Sequence, residues 1–202
     1  GTYTVGRDVF DAGPGGRIAV EEAFIGLRGG DAVKWDVSVG SQDFRIGHGL
    51  LIATGGGNGF ERGALALAPH RAWEVAGVAK LQGARWSAQA FYLDPDELTS
   101  SETHTRLVGA RIGGTPATWL SGGVSYLYAP RSETIYPILP VGILENARDG
   151  LKTWNLDFTA GVQTPGAPGF TLRGELAVQR NSRIDLRSRG GILDAAAGHV
   201  RH

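Results

Sequence analysis

The sequence predicts an all-β chain of antiparallel, up-and-down strands, and three features predict it. Apolar and polar residues alternate over several stretches, the spacing at which strand side chains face opposite sides. Thirty-two of the 202 residues are glycine, and helical periodicity is scarce, as in a chain that turns often. The connections between the alternating stretches run short and long in turn.

Taken in order, Gly16 to Leu27 ("GRIAVEEAFIGL") is strand-like, with either face apolar, and Gly29 to Asp31 is a tight turn. The clearest strand follows, with Val33, Trp35, Val37 and Val39 against Lys34, Asp36, Ser38 and Gly40. Trp73, Val75, Gly77, Ala79 and Leu81 alternate with Glu74, Ala76, Val78 and Lys80, and Gln82 to Ala84 turns the chain. Trp86, Ala88, Ala90 and Tyr92 then alternate with Arg85, Ser87, Gln89 and Phe91. A polar loop spans Asp94 to His104, and Thr105 to Ile112 is a strand of open facing, closed by the turn "GGTPA" at Gly113 to Ala117. Leu120, Val124, Tyr126 and Tyr128 oppose Ser121, Gly123 and Ser125, ahead of the longest loop, Ala129 to Gly150. Trp154, Leu156, Phe158, Ala160 and Val162 oppose Thr153, Asn155, Asp157 and Thr159. After the turn Thr164 to Gly169, Phe170, Leu172, Gly174, Leu176 and Val178 oppose Thr171, Arg173, Glu175 and Gln179.

Composition narrows the classes. Twenty basic residues balance 20 acidic ones, which argues against a nucleic-acid binder. All the basic residues except Lys34, Lys80 and Lys152 are arginine, the side chain suited to bidentate contact with carboxylates. With no cysteine, disulfides and thiolate metal sites are excluded. No apolar run reaches the roughly 18 residues of a membrane helix, although barrel strands need only about 10 alternating residues each. The chain starts at Gly1 and has no methionine, which reads as a trimmed or truncated beginning.

Two architectures share this pattern. A soluble carbohydrate-binding β-sandwich turns its apolar faces inward. An outer-membrane barrel turns them toward lipid and lines its lumen with polar groups, pairing short periplasmic turns with long outer loops. The alternation of loop lengths favours the barrel. If Gly29 to Asp31 and Gln82 to Ala84 are both periplasmic turns, only two strands fit between them, Val33 to about Asp43 and Trp73 to Leu81. Residues from Arg45 to about Arg71 are then an excursion at the outer end, folded toward the bore.

Several stretches resemble the alginate export family of outer-membrane barrels: "VEEAFIGLR", "WDVSVGSQDFRIGHGLLI", "FERGALALAPHRAWE", "AQAFYLDPDE" and "TRLVGARI". The likeness runs in order from about Val20 to Leu186, and "GSQDFRIGHGLLI" is similar to the family's Gly-Arg-Gln-x-Phe-x-x-Gly-x-Gly-Leu signature, with Ser41 where arginine is usual. The resemblance implies an antiparallel transmembrane barrel, here incomplete, with about eight strands of a larger one. It implies a passive conduit in the bacterial outer membrane, not an enzyme, passing an anionic polysaccharide or a small anionic solute through an arginine-rich lumen. Periplasmic export partners follow from the same likeness, and an outer-membrane enzyme barrel is a third reading. On this view residues 1–202 are one partial barrel domain: 1–15 an N-terminal segment, 16–180 the strands, and 187–202 an atypical alanine-rich tail, frame-shifted or disordered.

With the apolar faces toward lipid, the lining comes from the opposite faces and the excursion. The expected cargo-contacting residues are Arg45, Asp43, His48, Arg62, Arg71, Arg85, Asp157, Arg173 and Glu175, with Arg45 foremost because it lies in the family signature. Arginines pair with cargo carboxylates, and interspersed acids weaken each site so that a chain can pass along. No cofactor is expected: the histidines lack metal-ligand spacing, and Gly55 to Gly59 lacks the Lys-Ser/Thr of a phosphate loop. Glu21 and Glu22 are strand neighbours and point apart, unlike a hydrolase carboxylate pair.

Overall fold

In the computed structural model the described residues are 2–7, 14–20, 22–55, 71–95, 97, 102–138, 142–162 and 169–198. They form strands, turns and irregular segments, and no helix. The main body is one nine-stranded antiparallel sheet. In sequence order its strands are β3 (Ala23–Gly29), β4 (Lys34–Gln42), β5 (Trp73–Gln82), β6 (Trp86–Asp94), β7 (Arg106–Ala117), β8 (Leu120–Arg131), β11 (Lys152–Val162), β12 (Gly169–Asn181) and β13 (Leu186–Gly198). Each pairs with its neighbours in that order, β3 and β13 standing at the two edges. Two hairpins stand apart, β1 (Thr2–Arg7) with β2 (Pro14–Ala19), and β9 (Ile135–Ile138) with β10 (Gly142–Glu145), the latter inside the long 132–151 connection.

Three sequence expectations change. The Gly16–Leu27 stretch divides between β2 and β3, and only β3 joins the main sheet. "GGTPA" is not the turn but the end of β7, and the chain reverses at Thr118 and Trp119. Pro116 is accommodated there by a register shift between Gly114 and Ala117, since proline has no N–H for the ladder. Of the stretch 187–202, expected as a tail, residues 187–198 lie within β13, which pairs with β12 from Asn181↔Leu186 to Gly169↔Gly198, and 199–202 lie outside the described residues.

The sheet is curled. At about 4.8 Å per strand, β4 and β12 lie roughly 29 Å apart along the sheet, whereas Gln42 to His48 span at most about 20 Å fully extended. That segment bends at Gly47, whose φ is 54°, yet the His48 amide reaches Glu175 on β12 at 2.8 Å. That contact requires a concave face, and the segment lies in it.

The two faces are inverted relative to a soluble domain. Val37, Val39, Ile112, Val124, Trp154, Leu156, Leu176 and Val178 are exposed on the convex face, while Ser38, Ser125, Asn155, Asp157 and Glu175 are buried on the concave one. Trp154 is 59% exposed, so no closed core of the sandwich kind forms around it. The apolar core is instead concave and local: Phe44, Ile46 and Ile52 of the inward segment pack with Trp73, Val78, Phe91, Leu93 and Leu127. The Trp73 indole N–H donates to the Phe44 carbonyl at 3.0 Å, which fixes where the segment leaves β4.

Candidate functional site

Strand register arranges the concave face in rows. One row runs Arg28, Asp36, Lys80, Gln89, Arg111, Ser125, Asn155 across β3 to β11. The next, toward the short turns, runs Lys34, Gln82, Ser87, Gly113, Gly123, Asp157, Glu175. Arg111 crosses from the first row into the second. Its guanidinium lies over Gly113 and Gly123, where any Cβ would overlap it, and it forms a bidentate pair with Asp157, 2.7 Å at the closest. Both side chains are largely buried, 17% and 6% exposed. Two side-chain-free positions thus let one arginine span the intervening strand β8.

The inward segment is fastened over this surface by Glu175, itself 1% exposed. Its Oε2 accepts the His48 N–H at 2.8 Å and the Leu50 N–H at 3.2 Å, and its Oε1 accepts the Asn155 Nδ2 at 2.9 Å. The His48 ring Nε2 lies 3.0 Å from the Phe158 carbonyl oxygen, a bond that requires the hydrogen on Nε2. Gly47 sits so close to Asp157 and Glu175 that a side chain there would meet both. Arg45 folds back, its guanidinium donating to the His48 carbonyl and lying against Gly49, whose φ is 91°.

Clefts open on both sides of the segment. Toward the short turns, one of 480 Å³ is lined by Arg45, His48, Arg85, Arg111, Thr159 and Asp157 among others. Its only acid, Asp157, is already neutralised by Arg111, which leaves Arg45 and Arg85 as exposed cations with no carboxylate in ion-pair reach among the described residues. A neighbouring cleft of 320 Å³ joins Arg45 and His48 to Arg173, Glu175 and Asp194. Toward the long connections, a 580 Å³ cleft is mostly apolar, with Leu50, Leu51, Ile52, Leu107, Leu127 and Leu186 in its wall. The arrangement can bind an anion on one side of the segment and apolar surface on the other. The titratable groups of the first cleft are arginines, one histidine and an aspartate paired with Arg111.

Of the residues expected to meet cargo, Arg45, His48, Arg85 and Asp157 share the first cleft, and Arg173 lines the second. Glu175 borders the second cleft, but its oxygens are spent on the segment's amides and Asn155. Asp43 is exposed just past β4, and Arg71 stands ahead of β5, where its carbonyl accepts the Gly55 N–H; neither lines these clefts. Arg62 lies outside the described residues. Arg111 was missed because the facing of its strand stayed open. Its signal was the alternation of Val108, Ala110 and Ile112, which turns Arg111 to the opposite face, beside glycines that make room for it. Comparison with protein-family models, curated proteins and solved structures finds no match to this chain.

Proposed function

We propose that this sheet is a wall of an outer-membrane β-barrel that passively conducts an anionic polysaccharide or a small anionic solute past Arg45, Arg85 and His48. The observation that carries the reading is the inversion of the faces: buried Asn155, Asp157 and Glu175 alternate along their strands with exposed Trp154, Leu156, Leu176 and Val178. Lipid is the solvent that makes such an exterior stable. Exposed aromatics support it, since Trp35, Trp86, Trp119 and Phe170 all stand beside short turns, and Trp154 packs on Tyr126 near the other end. From Trp154 to Val162, the register partner of Phe170, the strand covers roughly 26 Å at about 3.3 Å per residue. An apolar band between aromatic girdles is about 25 Å tall.

Cargo carboxylates would pair transiently with Arg45 and Arg85, whose charge is not cancelled locally. Periplasmic export partners belong to the same proposal. Planar-bilayer conductance of the full-length protein tests it: Arg45→Glu should lower the anion-over-cation preference. An unchanged preference removes Arg45 from the conducting path, and a protein that never conducts overturns the conduit. A soluble β-sandwich would instead remain monomeric at high concentration without detergent.

A further inference from the structure

The convex face carries a row of like charges at its long-connection end. Lys152 stands opposite Arg180, and Arg180 opposite Arg187. One row nearer the middle of the sheet, Arg189 stands opposite Val178, itself opposite Trp154. Lys152 shares the strand face of exposed Trp154 and Leu156, and Arg180 that of Leu176 and Val178. All four cations therefore project from the apolar exterior, not into the concave face. Like charges directly opposite on neighbouring strands destabilise the pairing, and here three stand abreast.

Another sector of the same rim balances its charges. Arg106 has Asp94 at 3.6 Å, and Arg131 has Glu133 at 2.7 Å. Among the described residues no acid lies within ion-pair distance of Lys152, Arg180 or Arg189, and Arg187 reaches only Asp185, at 3.9 Å with both side chains largely exposed. Beside the row, the rings of Tyr126 and Trp154 lie 4.8 Å apart. Amphipathic aromatics of this kind favour the level where hydrocarbon gives way to headgroups, and the cations stand at and just beyond it.

We infer that this patch binds the phosphate-bearing headgroups of the lipid leaflet at the long-connection end. The inference rests on the membrane-barrel reading. Arginine forks match phosphate oxygens bidentately, and an anion placed over the row converts the Lys152–Arg180–Arg187 repulsion into attraction. The neighbouring Val178 and Leu176 provide apolar surface for the acyl chains of the same lipid.

The test places the full-length protein in phosphatidylcholine vesicles carrying a minor fraction of a bis-phosphorylated acylated disaccharide. Quenching of tryptophan fluorescence by brominated acyl chains reports insertion, and its failure in the unsubstituted protein overturns the barrel reading itself. Phosphorylated lipid retained through detergent extraction reports the patch. The Lys152→Gln/Arg180→Gln/Arg187→Gln variant should retain it roughly a hundredfold more weakly, given the strength of cation attraction to an anionic leaflet, with quenching unchanged. Arg106→Gln/Arg131→Gln should retain it fully. Equal retention by the triple variant overturns the proposal, as does an equal loss in the control or displacement of the lipid by inorganic phosphate. If the triple variant fails to insert, Arg187→Gln on the edge strand carries the same comparison.

Discussion

The inward segment is held on its two sides by different physics. Toward β5 to β8, Phe44, Ile46 and Ile52 sink into an apolar cluster with Trp73, Phe91, Leu93 and Leu127, where each buried aliphatic side chain is worth about 1.5–3 kcal/mol. Toward β11 and β12 its hold is polar: the Glu175 carboxylate gathers the His48 and Leu50 amides, and the His48 ring meets the Phe158 carbonyl. The packed side is non-directional and shares its load among many side chains. The polar side is directional and rests on a few hydrogen bonds, two of them to one carboxylate. The segment is thus packed firmly at one flank and clasped at the other, with the smaller cleft of Arg45, Arg173 and Asp194 on the clasped side.

The largest expected effect is on the packed flank. Ile52→Ala should cost about 2–4 kcal/mol of local stability, read as faster amide exchange across residues 44 to 52. Exchange confined to residues 48 to 50 would show that the cluster does not anchor the segment. Next comes the clasp. Glu175→Ala should cost about 1–3 kcal/mol, the penalty for unsatisfied buried amides, and should speed exchange at His48 and Leu50 while sparing Ile46. Loss of protection at Ile46 as well would erase the proposed difference between flanks.

A smaller change concerns the clamped arginine. Asp157→Asn should release Arg111 into the cleft and raise affinity for an anionic oligosaccharide by up to about 1 kcal/mol, the order of a solvent-exposed ion pair. Calorimetric titration giving weaker binding would mean that Arg111 acts only as part of the wall. The smallest effect lies at the exposed rim, where a hydrogen bond from Arg131 holds the Glu133 carboxyl below its ordinary pKa. A depressed folded value makes this contribution present above the ordinary glutamate range and lost as pH falls through the folded one. Thermal melts of Glu133→Gln and the unsubstituted protein should therefore converge in acid, and a gap that widens there would reverse the assigned cause.

Much of this was legible in the residues. Lys34 to Val39 and Trp154 to Val162 alternate so regularly that both faces could be read directly, and Asn155, Asp157 and Glu175 fall on the polar side as expected. That the chain leaves the sheet between the Val33 and Trp73 strands was also legible, because two short turns leave room for only two strands. Of the expected Arg45 to Arg71 excursion, Ile46, His48 and Ile52 lie against the concave face. Hidden from the sequence were contacts that depend on curvature. Nothing local marks Glu175 as the partner of amides far away in the chain, and the Arg111–Asp157 pair exists because Gly113 and Gly123 happen to be register partners. The expected tail at residue 187 failed for another reason. β13 mixes Arg189 and Leu193 on one face with Ile192 and Asp194 on the other, so backbone pairing with β12 specifies it, not side-chain alternation.

The number of strands has a geometrical consequence. In a nine-stranded antiparallel sheet the first and last strands point the same way. β3 and β13 could meet directly only as a parallel seam, and two upright copies sharing one axis would form two such seams. Antiparallel closure requires an odd number of additional strands, so neither self-closure nor a symmetric pair provides it. The absence of cysteine makes this directly measurable: Ile25→Cys combined with Leu193→Cys should give no disulfide within or between copies, and an efficient cross-link would reveal the parallel seam.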